Sequence, residues 1–143
     1  MNKLSNNSEN KNITVYKLNL SNPTPAIGWE NNEQDSFINR MEKKFDLVLC
    51  LGLIHHLQIT ERIPLVNVIQ TLANFTKKNL IIEFVSNEDE KFLELAGLNI
   101  ELYKNYTQKN FEEILDSNFN IIKKININNS KRVLYYVEIK QNA

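Results

Sequence analysis

The chain has 143 residues, 42% of them hydrophobic and 24% charged, with a formal net charge of zero. That size and composition suit one globular domain of the usual ~100–200 residues, and the balanced charge excludes bulk electrostatic attraction to nucleic acid or an anionic membrane. The single cysteine, Cys50, excludes an internal disulfide, no segment approaches the ~20 apolar residues of a membrane span, and no apolar stretch of the signal-peptide kind opens the chain, so a cytoplasmic location is expected.

Residues 1–11 are polar, rich in Asn and Ser, and have almost nothing to bury. They are expected to form a disordered tail, leaving residues 12–143 as one domain. The β-branched and aromatic run Ile13-Thr14-Val15-Tyr16-Lys17-Leu18 predicts a short strand. Pro23, Pro25 and Gly28 exclude regular structure in the stretch that ends at Trp29. Phe37, Ile38 and Met41 lie at helical spacing and predict a helix over 33–44.

Residues 45–51, Phe-Asp-Leu-Val-Leu-Cys-Leu, are almost continuously apolar, which predicts a strand buried on both faces. A turn carrying His55 and His56 is expected over 52–58. A helix over 61–75 follows, with Thr60 as its N-cap and Ile63, Val66, Ile69, Leu72 and Ala73 as its buried stripe. Residues 80–85 (LIIEFV) predict a second central strand. Helical pieces follow near 88–95 and 108–116, the latter capped by Thr107. Two strands, 119–126 and 132–140, joined by a short connection, predict an antiparallel hairpin. Alternating strands and helices imply an α/β domain with a mostly parallel sheet.

The two histidines follow a strand at its carboxyl end, where ligands bind in open α/β sheets. One of them lines a pocket or acts as a base, or else they pack and cap; both lie beyond the strand, so replacing either by alanine is expected to leave the fold nearly intact. Glu83, in an apolar run, needs a partner, either Arg132, a helix terminus or a ligand. Trp29 covers a pocket or anchors its loop. Cys50, His55 and His56 fall short of the three or four convergent ligands of a zinc site, so no metal is expected.

The ordered motifs resemble the carboxyl half of the class I S-adenosylmethionine (SAM) methyltransferase family, over about residues 13–140. The resemblance is carried by residues 18–29 (LNLSNPTPAIGW), by 49–57 (LCLGLIHHL), by Pro64-Leu65, 80–85 and Asn105-Tyr106-Thr107, and by Arg132-Val133-Leu134-Tyr135. It is similar in these stations to one bacterial subgroup.

The resemblance implies a partial Rossmann-like sheet. The family strand order is 3-2-1-4-5-7-6, with residues 45–51 in the fourth place and the hairpin completing a block of four. It implies SAM as cofactor, with Asn19, Leu20, Leu51, Gly52 and His55 on the cofactor side and Trp29, His56 and Glu83 toward an unidentified acceptor. No catalytic residue is assigned. The family's opening strand and glycine-rich turn have no counterpart, since the only glycines are the scattered Gly28, Gly52 and Gly97, and the acidic ribose-binding residue is missing with them. Asn19 stands where the family has Asp.

The activity implied is methyl transfer, inactive in this chain alone or dependent on a separate front half. The alternative is a non-enzymatic binding or assembly module, or a gene remnant. The strand at 45–51, left without neighbours on one side, is expected to be covered by residues 13–18, by a separate N-terminal half, or by a homodimer through that edge.

Overall fold

The computed structural model describes residues 13–141, and the expected tail over 1–11 lies outside the described residues. Five α-helices and four β-strands are present in it. In chain order they are α1 (Phe37–Arg40), β1 (Phe45–Cys50), α2 (Ile54–Ile59), α3 (Leu65–Phe75), β2 (Thr76–Val85), α4 (Glu90–Ala96), α5 (Gln108–Asp116), β3 (Phe119–Asn126) and β4 (Arg132–Ile139). Short 3-10 segments occupy Trp29–Asn31 and Gly97–Tyr103.

The strands form one sheet in the order β1-β2-β4-β3. β1 and β2 are parallel, joined through α2 and α3, whereas β4 pairs antiparallel with both β2 and β3. The expectation of a mostly parallel sheet is therefore corrected: among the described residues one pairing of three is parallel. The hairpin is the reason, because β4 is inserted between β2 and β3 and contributes both antiparallel ladders.

Register separates the two sheet faces. Val48, Leu80, Val137 and Ile121 lie side by side, as do Cys50, Ile82, Tyr135 and Lys124. This face carries the core, where Leu80, Ile82, Phe84, Val133, Tyr135 and Val137 pack with Ile69 and Leu72 of α3 and with Phe111 and Leu115 of α5. The Phe84 and Phe111 rings lie 5.1 Å apart and continue to Tyr135 at 5.3 Å, an aromatic spine between sheet and helix.

Local chemistry explains where the elements begin and end. α3 starts after Pro64, whose fixed φ and missing N–H suit the position before a helix, and whose carbonyl accepts from the Asn67 and Val68 amides. The helix expected from residue 61 is thus shortened, and Thr60 instead ends α2. The buried stripe also differs: Leu65, Val68, Ile69, Leu72, Ala73 and Phe75 are buried, Val66 is exposed and Ile63 lies before the helix. The segment expected as a turn at 52–58 forms α2, because no glycine or proline interrupts it after Gly52 and Ile54, Leu57 and Ile59 all reach the core. α5 begins where expected, with Thr107 Oγ1 accepting from the Asn110 amide at 3.2 Å.

Three further expectations are corrected. Residues 13–18 form no strand. They run past the helical layer, where Tyr16 meets Phe37 edge-on at 6.2 Å, and find no ladder partner there. The helix expected over 33–44 is the single turn α1, because Ser36 caps it and the preceding residues are tied into the Ile27–Gln34 bridge. The strand β1 is not buried on both faces: Leu47 and Leu49 are exposed, at 49% and 60%, because they point to the sheet face opposite the core that takes Val48 and Cys50.

Candidate functional site

At the carboxyl ends of β1 and β2 the chain turns into α2 and toward α4. β1 runs out into Leu51 and Gly52. Gly52 has φ +61°, a left-handed conformation that glycine adopts without the steric cost paid by other residues. That turn aims the Gly52 amide at Glu83 of β2, which accepts its hydrogen bond at 2.5 Å. The other carboxylate oxygen of Glu83 faces Arg132 at 3.4 Å.

Arg132 opens β4 and is gripped from a second side. Asp89 accepts from its Nε at 2.9 Å and its Nη2 at 3.2 Å, a bidentate pairing. Asp89 is also the N-cap of α4, accepting from the Lys91 amide. One guanidinium therefore fixes the end of the sheet, the turn after β1 and the start of α4. Hydrogen bonding from Arg132 holds the Asp89 carboxyl below the ordinary carboxylate range, and the same contact raises Arg132 further.

His55 and His56 are consecutive in α2, with ring centroids 4.3 Å apart. His55 is only 3% exposed and its Nδ1 has no hydrogen-bond partner, whereas His56 is exposed. Burial lowers the His55 pKa from its ordinary value, with the neighbouring His56 and Arg132 acting the same way. His55 is a neutral imidazole packed into the base of α2. Both histidines lie beyond β1, as expected, and of the two His55 is the one that packs inside.

Gly52, His55, His56, Lys91, Glu94 and Arg132 line a cleft of about 370 Å³. It shares Lys91 and Arg132 with a wider polar groove of about 640 Å³ under the β3–β4 turn. Of the sequence-predicted residues, Gly52, His55, His56 and Glu83 gather here, and Leu51 sits exposed at the end of β1. Asn19, Leu20 and Trp29 do not join them. Asn19 uses its side-chain oxygen in a local turn with the Ser21 amide and hydroxyl. Leu20 packs against Leu57, Ile63, Val68 and Leu72 on the helical side. Trp29 is 79% exposed in its 3-10 turn.

Sequence reasoning missed Asp89, Lys91 and Glu94 as cleft residues. The Glu-Asp-Glu-Lys run at 88–91 carried the signal, since an acidic N-cap before an apolar helix is a fixed charge at a known place.

Cys50 is buried, and burial pushes its thiol up to about 12, so it packs as a small hydrophobe. Among the described residues no group of three His, Cys, Asp or Glu side chains converges as metal ligands require, and no helix is long and apolar enough to cross a membrane.

The residues present do not by themselves fit SAM. The Gly52 amide is taken by Glu83, Glu83 is taken by Gly52 and Arg132, and Asn19 is taken by Ser21. A nucleoside ligand such as SAM needs free polar groups pointed at one place, a carboxylate for its ribose hydroxyls among them. No chemical step through SAM follows from these side chains alone.

Over 128 residues, 90% of this chain, the sequence is 33% identical to the nodulation protein NoeA of Rhizobium meliloti (strain 1021). The match covers 26% of that protein, so the chain spans about a quarter of the length of the curated relative it matches. No family model matches the chain, and no solved structure matches it.

Proposed function

We propose that this chain is the carboxyl half of a class I SAM methyltransferase-like domain, which contributes the acceptor side of a cleft and requires a front half to complete it. The single observation that carries the reading is the strand order β1-β2-β4-β3, with one parallel pair and an antiparallel strand inserted before the edge. It corresponds to the 4-5-7-6 block that the sequence resemblance implies.

The two sheet edges support the same reading. β3, at one edge, carries Lys123 and Lys124 and a bulge between Ile121 and Lys123, the features that blunt an edge against pairing. β1, at the other, has a register shift against β2 only at its start, between Phe45 and Leu47, and runs regularly from Leu47 to Cys50 with Asp46 as its one charge. The unblunted edge is the one a front half would extend. This chain's part in such a domain is the acceptor side of the cleft, at His56, Lys91 and Glu94.

A second reading, a binding module without catalysis, draws on the fact that the polar groups at the cleft are satisfied internally. The two separate in a chimera of the rhizobial relative that carries this chain in place of its matched segment. Photo-crosslinking with radiolabelled SAM is expected to label the chimera and the intact relative, and not the isolated chain. A folded chimera, checked by circular dichroism, that takes no label leaves the binding-module reading in place.

A further inference from the structure

Two neighbouring hollows open between α2, α3, α5 and the 3-10 segment Gly97–Tyr103. One holds about 430 Å³ and the other about 290 Å³. Gln58 of α2, Pro64 and the 3-10 residues Leu102 and Tyr103 line both, so the two are halves of one groove. It shares no lining residue with the cleft at Gly52 and His56. Its size falls in the range of ligand sites, roughly 300–1,000 Å³, which are mostly apolar with a few placed polar groups.

The walls of the groove are largely apolar. Leu102 is 76% exposed, Val66 is exposed beside it, and Leu65 and Ile114 complete the second half. Two polar features interrupt them. Oε1 of Gln58 is buried and has no hydrogen-bond partner, and a buried acceptor left unpaired is costly. Arg62 lines the first half, and among the described residues it is the only charged side chain in either lining. It is exposed, and its backbone holds φ +55°, a left-handed conformation that favours glycine. A long cation kept in that conformation is an outlier of the kind that clusters at ligand sites.

We propose that this groove binds the carboxyl terminus of another polypeptide whose last two residues are apolar. Arg62 pairs with the terminal carboxylate, which its planar fork suits, and no acidic residue of the groove competes for it. The last side chain occupies the first half, beside Ile63. The N–H of the final peptide bond donates to Gln58, and the preceding side chain enters the second half, lined by Leu65 and Val66. A chain terminus brings an anion, an amide donor and two apolar side chains together. A fatty acid lacks the donor, and a free amino acid reaches only one half. The proposal is independent of the methyltransferase reading.

The probe is acetyl-leucyl-leucine with a free carboxyl group, titrated into the isotopically labelled chain and followed by amide chemical shifts. Saturable shifts are expected at Gln58, Arg62, Leu102 and Tyr103. The carboxamide of the same dipeptide should bind at least about tenfold more weakly, and Arg62→Gln should weaken the free acid by a similar factor while leaving the carboxamide unchanged. Arg62→Gly should lose the same binding and melt no lower than the native chain, because glycine accepts the left-handed backbone. The absence of saturable shifts overturns the proposal, as does their appearance at His56 and Lys91 instead. Equal binding of the carboxamide removes the role of the carboxylate and overturns it too. Free leucine binding as tightly as the dipeptide would make a free amino acid the occupant. A lower melting temperature for Arg62→Gly would show that Arg62 serves the fold and not a ligand.

Discussion

His55 is a buried neutral base with an unpartnered nitrogen, so its protonation is coupled to folding. Its folded pKa lies below the ordinary histidine value, chiefly through burial. The unfolded chain then binds the proton more tightly, and stability rises with pH in that range. The stabilisation is present above the ordinary histidine pKa of about 6.5 and is lost as pH falls through the lower folded value. Asp89 stays ionised across this window because Arg132 holds its carboxyl low. Calorimetric melting between neutral and mildly acidic pH should show a clear fall for the native chain and a smaller one for His55→Phe, which keeps ring volume without the titration. An equal fall in both would assign the pH dependence elsewhere. Truncation separates the two histidines: His55→Ala should cost about 2 kcal/mol in urea unfolding, as for other buried large-to-small changes, and His56→Ala within about 0.5 kcal/mol, as for exposed positions.

Among the elements, α5 offers the cleanest test of a local rule. Thr107 Oγ1 accepts from the Asn110 amide, so Thr107→Ala should cost about 1 kcal/mol, measured by urea denaturation. A cost near zero would mean that tertiary packing of Phe111 and Leu115 fixes the helix start without the cap. This helix was fully legible in the sequence because cap, apolar spacing and following turn all agreed. The hairpin and the positions of β1 and β2 were legible for a similar reason: their runs of strand-forming residues are bounded by polar turns.

The misreadings have a common cause. Residues 13–18 have strand-forming side chains, yet a strand exists only with a ladder partner, and partners are decided far away in the chain. The apolarity of residues 45–51 signalled burial on both faces, whereas the strand stands at an edge with Leu47 and Leu49 uncovered. An apolar composition does not by itself distinguish an edge strand from a central one. Of the candidate site, Gly52, both histidines and Glu83 were legible from their place at a strand's carboxyl end. The Arg132–Asp89 clasp was not, because its partners lie 43 residues apart and meet only through the sheet register.

At the scale of the whole molecule the unequal edges decide how the isolated chain behaves. β1 presents unpaired backbone groups along a short, mostly apolar strand, regular from Leu47 to Cys50, and a second β1 is the nearest template at high concentration. Two chains meeting there about a twofold axis would continue the sheet to eight strands, and each would satisfy the other's outward amides and carbonyls. Sedimentation across the micromolar range should show a monomer–dimer equilibrium in the isolated chain. Leu47→Lys with Leu49→Lys should shift it to monomer, since flanking lysines repel across a twofold seam. Ile122→Lys in β3 should leave it unchanged, because that edge already carries Lys123 and Lys124. Amide exchange gives the second reading: outward-facing amides of β1 should slow on association, while Tyr136 two strands away keeps its side chain exposed. A monomer at every concentration whose outward β1 amides exchange as freely as an unstructured loop would show that the edge is inert, and would remove the edge from the case for a front half.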